Sequence, residues 1–133
     1  MAGENELVEQ IEYLKNLLET IDSRMNLLLK TLEESNDTLA LLKDADYEKS
    51  KDVKISIGSG LFSKAALDTS KIIVPVGSGV FIEEEKEKTI KRMEENINSL
   101  QDTYNNLLKQ KQAAQNNYDA LMYSVQRAQE GNR

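Results

Sequence analysis

The stretch Ile55–Phe62, which reads ISIGSGLF, returns about 19 residues later as Val74–Phe81, which reads VPVGSGVF. Self-similarity at a fixed spacing indicates a duplicated structural unit. In each copy apolar residues flank Gly-Ser-Gly, a pattern that predicts two short strands joined by a tight turn. We therefore predict two consecutive β-hairpins, with strands over residues 53–57, 61–67, 71–76 and 80–82.

A heptad repeat of apolar residues runs along the chain on each side of these hairpins, over Leu7–Leu42 and Ile90–Ala128. Alternating steps of three and four residues, averaging about 3.5, are typical of a left-handed coiled coil. The two repeats are nearly equal in length, so the economical interpretation is an antiparallel two-helix coiled coil within one chain. A parallel coil between chains stays open, because heptads alone do not fix orientation. The antiparallel alignment pairs Leu42 with Ile90, Met25 with Leu107, Ile21 with Lys111, Leu14 with Tyr118 and Leu7 with Val125.

Polar residues mark the register and the ends of the expected helices. Lys111 is a charged residue within the second seam, and we expect it to fix the register by reaching toward Asp22 or Glu19. Asn5 is expected to cap the first helix. The acidic run Glu83–Glu87 is expected to form the first turns of the second helix, where carboxylates match the helix dipole. A metal site in that run is disfavoured, because consecutive helical residues point in different directions.

Composition narrows the range of functions. The 133 residues include no Cys and no His, which excludes thiol nucleophiles, Cys/His zinc sites and imidazole catalysis. A net charge of −6 argues against nucleic acid as a partner. Neither Gly-Ser-Gly segment matches a phosphate-binding loop, and no apolar run is long enough to span a membrane. The chain is expected to be a soluble, cytoplasmic protein without enzymatic activity, cofactor, bound metal or membrane partner.

Together these patterns predict an α+β fold: a long antiparallel two-helix coiled coil with two central β-hairpins. We expect a single domain over residues 1–133, with one helix in 1–44, the hairpins in 45–82 and the other helix in 83–133. Short strands on a thin stalk leave open sheet edges, which invite pairing with another chain. The hairpins are therefore predicted to form an oligomeric hub, in which strands of several subunits close a β-barrel or a sandwich. The residues expected at this interface are Val53, Ile55, Ile57, Leu61, Phe62, Ile72, Val74, Val76, Val80, Phe81 and Ile82.

Apolar residues also gather near the free ends of the two expected helices, some of them off the heptad seam. Flexible Met and amphipathic Tyr suit promiscuous apolar contact. Splayed helix ends with scattered surface apolar residues explain the same pattern, and the sequence leaves both interpretations open. The candidate binding residues are Leu7, Val8, Ile11, Tyr13, Leu14, Leu121, Met122, Tyr123 and Val125.

The doubled hairpin motif, Ile55–Phe62 and Val74–Phe81, resembles the alpha-class subunit of prefoldin, most like the archaeal form. Ala65–Lys71 and Phe81–Glu84 are also similar to that family, and two hairpins, where the beta class has one, indicate alpha. Serine occupies the turn centres where alanine is common in the family. The resemblance implies a hexamer of two alpha and four beta subunits, with a double β-barrel body and six coiled-coil tentacles. It also implies capture of unfolded polypeptides by the distal tentacle regions without ATP, delivery to a group II chaperonin, and no catalytic residue.

Two functions of different classes follow from these observations. The first is an ATP-independent holdase that captures unfolded proteins at the coiled-coil tips. The alternative is a structural adaptor whose coiled coil docks one fixed protein partner. An enzyme would need an ion or nucleotide site, for which the sequence offers no candidate.

Overall fold

The computed structural model describes residues 2–50 and 52–131, so both ends of the predicted domain, at Met1 and Arg133, lie outside the described residues. Helices and strands follow one another in the α+β order expected from the sequence. In chain order the elements are α1 (Ala2–Lys43), α2 (Ala45–Glu48), β1 (Val53–Gly58), β2 (Leu61–Ala65), β3 (Lys71–Gly77), β4 (Val80–Glu85) and α3 (Lys86–Gly131).

Residues 2–32 of α1 and 100–131 of α3 form one compact unit, called here the helical unit. Its core is a buried cluster of Ile21, Met25 and Leu107. Lys111 Nζ lies 2.7 Å from Asp22 Oδ1. Because Asp22 precedes Met25 while Lys111 follows Leu107, the two helices run antiparallel within one chain. The predicted pairing of Met25 with Leu107 and the predicted reach of Lys111 toward Asp22 are confirmed.

Residues 33–99 form a second compact unit, the hairpin unit, which contains both β-hairpins. Strands β1 and β2 pair antiparallel, as do β3 and β4, and each pair is a separate two-stranded sheet. At the first tip Ser59 and Gly60 have φ angles of 53° and 74°. Positive φ at both central residues defines the turn type whose twist matches a hairpin, and glycine adopts it at no steric cost. The repeated sequence thus forms the same structure twice, as predicted.

The junction between β4 and α3 differs from the prediction. Strand β4 continues to Glu85 and α3 begins at Lys86, so Glu83–Glu85 lie in a strand and not in the first helical turns. The buried carboxylate of Glu84 accepts hydrogen bonds from Arg92 Nη1 at 2.8 Å and Thr89 Oγ1 at 2.7 Å. These partners from α3 satisfy a carboxylate at the end of the strand, which explains why the acidic run continues as β4.

The structure also differs from the prediction at the start of α1 and in the segment that follows α1. Helix α1 already includes Ala2, so Asn5 lies inside the helix and the predicted cap is wrong. The polar connector after α1 contains the four-residue helix α2. Thr69 Oγ1 donates to the Glu48 carbonyl at 3.1 Å, and Lys86 Nζ lies 3.5 Å from Glu48 Oε1. The end of α2 is thereby tied to the loop between the hairpins and to the start of α3.

The Glu84 contacts predict a local acid sensitivity of the hairpin unit. Hydrogen bonds from Arg92 and then Thr89 lower the pKa of Glu84 below its ordinary value. A carboxylate with a depressed folded pKa adds stability above its unfolded pKa and loses it as pH falls through the folded pKa. We expect Glu84→Gln to flatten the decline of the unfolding free energy between roughly pH 5 and pH 3, measured by urea unfolding.

The exposed neighbour Glu83 provides the matched control, since Glu83→Gln makes the same chemical change one residue away. Hydrogen bonds from Ser70 lower the pKa of Asp68, and that group is retained in both variants, so its contribution cancels. Equal pH slopes for Glu84→Gln and Glu83→Gln would contradict the assignment of acid sensitivity to Glu84.

Candidate functional site

The polar groups buried in the described residues have structural partners. Glu84 accepts from Arg92 and Thr89, and Lys86 pairs with Glu48. Among residues 2–50 and 52–131, no group of three or more acidic, histidine or cysteine side chains could hold a metal ion. The candidate sites that the structure presents are two apolar surfaces, one at the ends of the helices and one on the hairpins.

The first surface, called the helix ends, comprises residues 3–20 of α1 and 115–131 of α3. No residue in these segments is buried, whereas Ile21, Met25, Leu107 and Ala114 next to them are. The heptad seam that is closed in the middle of the helical unit is therefore only partly closed at its ends. The candidate residues that are half-buried here are Leu7, Ile11, Leu14, Leu121, Met122 and Val125.

Three candidate residues at the helix ends are largely exposed. The relative exposures are 52% for Val8, 67% for Tyr13 and 63% for Tyr123. Single exposed apolar residues are normal on protein surfaces, but here they adjoin a seam that is itself incompletely covered. Apolar area that the chain does not bury within the helical unit is available to another molecule.

Two grooves are found between the helices in this region. The first has a volume of about 370 Å³, and Tyr13, Leu14 and Leu121 lie in its wall with Gln10, Asn117 and Ala120. The second, of about 140 Å³, brings Leu7, Val8 and Val125 together with Glu4, Ala128 and Gln129. Ile11, Met122 and Tyr123 are not among the lining residues of these two grooves. The grooves agree with the antiparallel alignment, in which Leu7 meets Val125.

Sequence reasoning missed the polar and small residues of the grooves. Gln10 and Asn117 place amide groups beside apolar walls in the larger groove, and Ala120 leaves room between the helices. The sequence did contain this information. The predicted pairing of Leu14 with Tyr118 brings the residues that flank Tyr118 on the same helix, Asn117 and Leu121, close to Leu14. Mostly apolar walls with a few polar groups are typical of ligand-binding clefts in proteins.

The second surface is made of the exposed apolar residues of the hairpins. Phe62 and Phe81 occupy equivalent positions and have almost the same exposure, 61% and 62%. Val53, Ile72 and Val74 are half-buried, and Ile73, which was not among the predicted interface residues, is also exposed. The other predicted interface residues, all exposed, are Ile55, Ile57, Leu61, Val76, Val80 and Ile82.

Each hairpin also has unpaired strand edges. Within the described residues, β1 pairs only with β2, and β3 only with β4. Two-stranded sheets of this size are marginally stable in water, and their open edges are templates for pairing with another strand. Pro75 lies in β3 next to the bulge between Pro75 and Gly77, where its missing N–H is tolerated. The geometry favours a surface that is completed by other chains.

A comparison with models of protein families identifies the family to which this chain belongs. The family model for the prefoldin subunit matches residues 6–131. The chain belongs to the prefoldin family. Prefoldins are molecular chaperones without enzymatic activity, which agrees with the prediction of a non-enzymatic chaperone.

Archaeal alpha subunits are among the proteins similar to this prefoldin chain. It is 50% identical over 107 residues to prefoldin subunit alpha of Picrophilus torridus, covering 77% of each chain. It is 33% identical over 113 residues to the alpha subunit of Thermoplasma acidophilum, covering 84% of this chain and 87% of that protein. The resemblance inferred from the doubled hairpin motif is therefore confirmed.

A solved structure shares the prefoldin fold. A chain in the cryo-EM structure of filamentous PFD from Methanocaldococcus jannaschii gives a TM-score of 0.68 at 21% identity, over 86% of this chain and 97% of that one. At this identity the likeness concerns the fold alone. No described helix combines the length and apolar content needed to cross a lipid bilayer.

Proposed function

We propose that this prefoldin chain is the subunit of an ATP-independent holdase that captures unfolded polypeptides at the helix ends. The observation that carries the proposal is the loss of burial along the helical unit. The core at Ile21, Met25 and Leu107 is closed, whereas no residue of the helix ends is buried. Unfolded proteins expose apolar side chains, and the grooves beside Leu14 and Val125 offer matching apolar walls.

The proposed capture relies on several weak contacts acting together. Burial of apolar surface contributes about 25 cal/mol per Å², so one exposed Tyr or Val gives only a modest affinity for a client segment. Several subunits that present their helix ends to one chain raise the effective affinity without any new contact. Release then needs no nucleotide, because each contact is weak and exchanges independently. Client-binding roles are proposed for Leu7, Val8, Ile11, Tyr13, Leu14, Leu121, Met122, Tyr123 and Val125.

The hairpins are proposed to supply the assembly. Exposed Phe62 and Phe81, together with the free strand edges, support pairing with strands of other subunits. We propose a hexamer of two alpha and four beta subunits, closed as β-barrels, that works in the cytoplasm and passes clients to a group II chaperonin. In this scheme α1 and α3 provide the coiled coil, and the segment between them, through the end of β4 at Glu85, provides the assembly hairpins.

The experiment that tests the holdase function measures how broadly the assembled protein suppresses aggregation. A panel of unrelated proteins is diluted from denaturant with and without the complex, and light scattering is recorded without ATP. A holdase is expected to suppress aggregation of most members of the panel. Suppression of only one member, or of none, would contradict the proposal and favour the adaptor that docks one fixed partner.

A further inference from the structure

The helix ends carry most of the negative charge of the chain. Residues 3–20 and 115–131 contain seven Asp or Glu and two Lys or Arg, which gives them a net charge of −5 within the −6 of the whole chain. None of the ion pairs found among residues 2–50 and 52–131 involves a residue of the helix ends. The apolar grooves of this region are therefore surrounded by carboxylates that the described chain does not neutralise by ion pairing.

In α1 these carboxylates lie beside the exposed apolar residues. Residues three or four apart on a helix are neighbours on its surface. Val8 has Glu4 one turn before it and Glu12 one turn after it, and Glu4 also lines the smaller groove. Tyr13, in the wall of the larger groove, has Glu9 one turn before it. All three glutamates are exposed, so both apolar residues are presented together with anionic groups.

The two cations of the helix ends leave this pattern in place. Lys15 is the one cation in the α1 part, which holds five glutamates. In α3, Arg127 lies one turn after Tyr123, and Asp119 lies one turn before it. Asp119 Oδ1 also accepts a hydrogen bond from Gln115 Nε2 at 3.0 Å. The charges beside Tyr123 are therefore nearly balanced, and the excess of negative charge belongs to α1.

A Lys or Arg side chain of a client complements both parts of this surface. The aliphatic stem of such a side chain can lie along an apolar wall while its charged head stays at the water-exposed rim. A cation is also attracted to the face of a tyrosine ring. A purely apolar segment would leave the carboxylates without a partner, and an acidic segment would be repelled by them.

We propose that the helix ends preferentially bind unfolded segments in which Lys or Arg alternate with apolar residues, with the client cations beside Glu4, Glu9 and Glu12. This inference rests on the proposed holdase function and names the class of client. Apolar burial supplies an affinity that is general, while charge complementarity supplies the selectivity and speeds the encounter. Acidic unfolded segments are disfavoured at the same grooves.

Three unstructured peptides with the same leucines test the preference, because they differ only in the residues between the leucines, which are lysine, glutamate or serine. Each peptide carries a fluorescent label and is titrated with the full chain at low salt, and binding is followed by fluorescence anisotropy. The lysine peptide is expected to bind about tenfold more tightly than the glutamate peptide, with the serine peptide between them. Salt screens exposed charges, so the difference should largely disappear at about 0.5 M salt.

Substitution of the three glutamates identifies the groups responsible. Glu4→Gln/Glu9→Gln/Glu12→Gln removes the charges with little change in size or helix propensity. This variant is expected to bind the lysine peptide about fivefold more weakly and the serine peptide as before. Reversal of the same three positions to lysine should make the glutamate peptide the tighter ligand, a result that loss of folding cannot produce.

The matched control is Glu33→Gln/Glu34→Gln/Glu95→Gln, which makes the same changes at exposed positions of α1 and α3 outside the helix ends. It should bind all three peptides like the original chain, and circular dichroism verifies that each variant is helical. Equal binding of the lysine and glutamate peptides by the original chain would overturn the proposal, as would an equal loss in the control. Self-association of the first variant with unchanged peptide binding would show that the carboxylates only keep chains apart, which also overturns it.

The same two triple Gln variants distinguish a failure of this preference from a failure of the proposed function. Each is assembled with a candidate beta subunit, and suppression of aggregation is measured for a basic and an acidic denatured protein of similar size. The preference predicts weaker suppression of the basic client alone, and only when the helix ends are changed. Equal suppression of both clients by every version would reject the preference and leave the holdase function standing. An original complex that suppresses neither client would reject the holdase function itself.

Discussion

Replacement of Val8, Tyr13 and Tyr123 by glutamine is expected to leave assembly intact and to remove most of the suppression of client aggregation. These three side chains are exposed, so their removal takes nothing from the core of the helical unit. Glutamine is a good helix former, so α1 and α3 should persist. Burial of the exposed part of each side chain against a client contributes roughly 1 to 2 kcal/mol. Losing three such contacts from one subunit should weaken capture by about a hundredfold or more.

The measurement is light scattering of a denatured client at increasing ratios of chaperone, alongside thermal unfolding and assembly mass. Leu27→Gln/Leu41→Gln/Leu108→Gln is the matched control, because it removes three exposed apolar side chains from the same two helices outside the helix ends. The control variant should retain suppression. Equal loss in the two triple variants would show that clients bind along the whole coiled coil, and unchanged suppression in both would reject an apolar capture site.

The coiled coil was predictable in detail because its information is periodic and local. The heptad steps fix which residues form the seam, and the equal lengths of the two repeats favour an antiparallel register without excluding a parallel one. Met25 opposite Leu107 and Lys111 beside Asp22 follow from that register alone. The hairpin tips were predictable for a similar reason, since Gly-Ser-Gly between apolar strands is a local pattern whose glycines adopt the positive φ that a two-residue hairpin turn requires.

The junction between β4 and α3 was not predictable from local propensity. An acidic run before a heptad repeat is a usual signal for a helix start, and it suggested helix from Glu83. The strand continues because β4 pairs with β3 as far as Lys71 opposite Glu85, and because Arg92 meets the carboxylate of Glu84. Both interactions join residues that are distant along the sequence or in different elements. Tertiary contacts therefore override the local preference at this junction.

The candidate binding surfaces were only partly accessible from the sequence. Apolar residues off the seam indicated Val8, Tyr13 and Tyr123, which the structure leaves exposed. The sequence left open whether the seam itself loses burial beyond Ile21 and Ala114, because its apolar rhythm continues unbroken to both ends. How tightly two helices pack depends on side-chain size and on what lies next to the seam, which a heptad pattern does not encode.

Replacement of Phe62 and Phe81 by threonine is expected to abolish assembly while leaving the helices folded. Both rings are exposed on the hairpins, so they make little contribution to the isolated chain. Threonine keeps the β-propensity of the strand while removing the aromatic surface. Full burial of each ring in an interface contributes about 1.5 to 3 kcal/mol to assembly. Because each of the two hairpins carries one such ring, the double substitution loses this free energy twice. Native mass measurement of the chain mixed with a candidate beta subunit should then show separate chains.

Ser56→Thr/Ser63→Thr is the matched control, since it makes two threonine substitutions at exposed positions of β1 and β2 without removing apolar area. This variant should assemble normally. The disassembled Phe62→Thr/Phe81→Thr chain keeps its helix ends, yet it should suppress aggregation weakly, because a single chain presents only one pair of ends to a client. Persistent assembly of that variant would place the subunit interface elsewhere, and strong suppression by separated chains would show that one pair of helix ends suffices for capture.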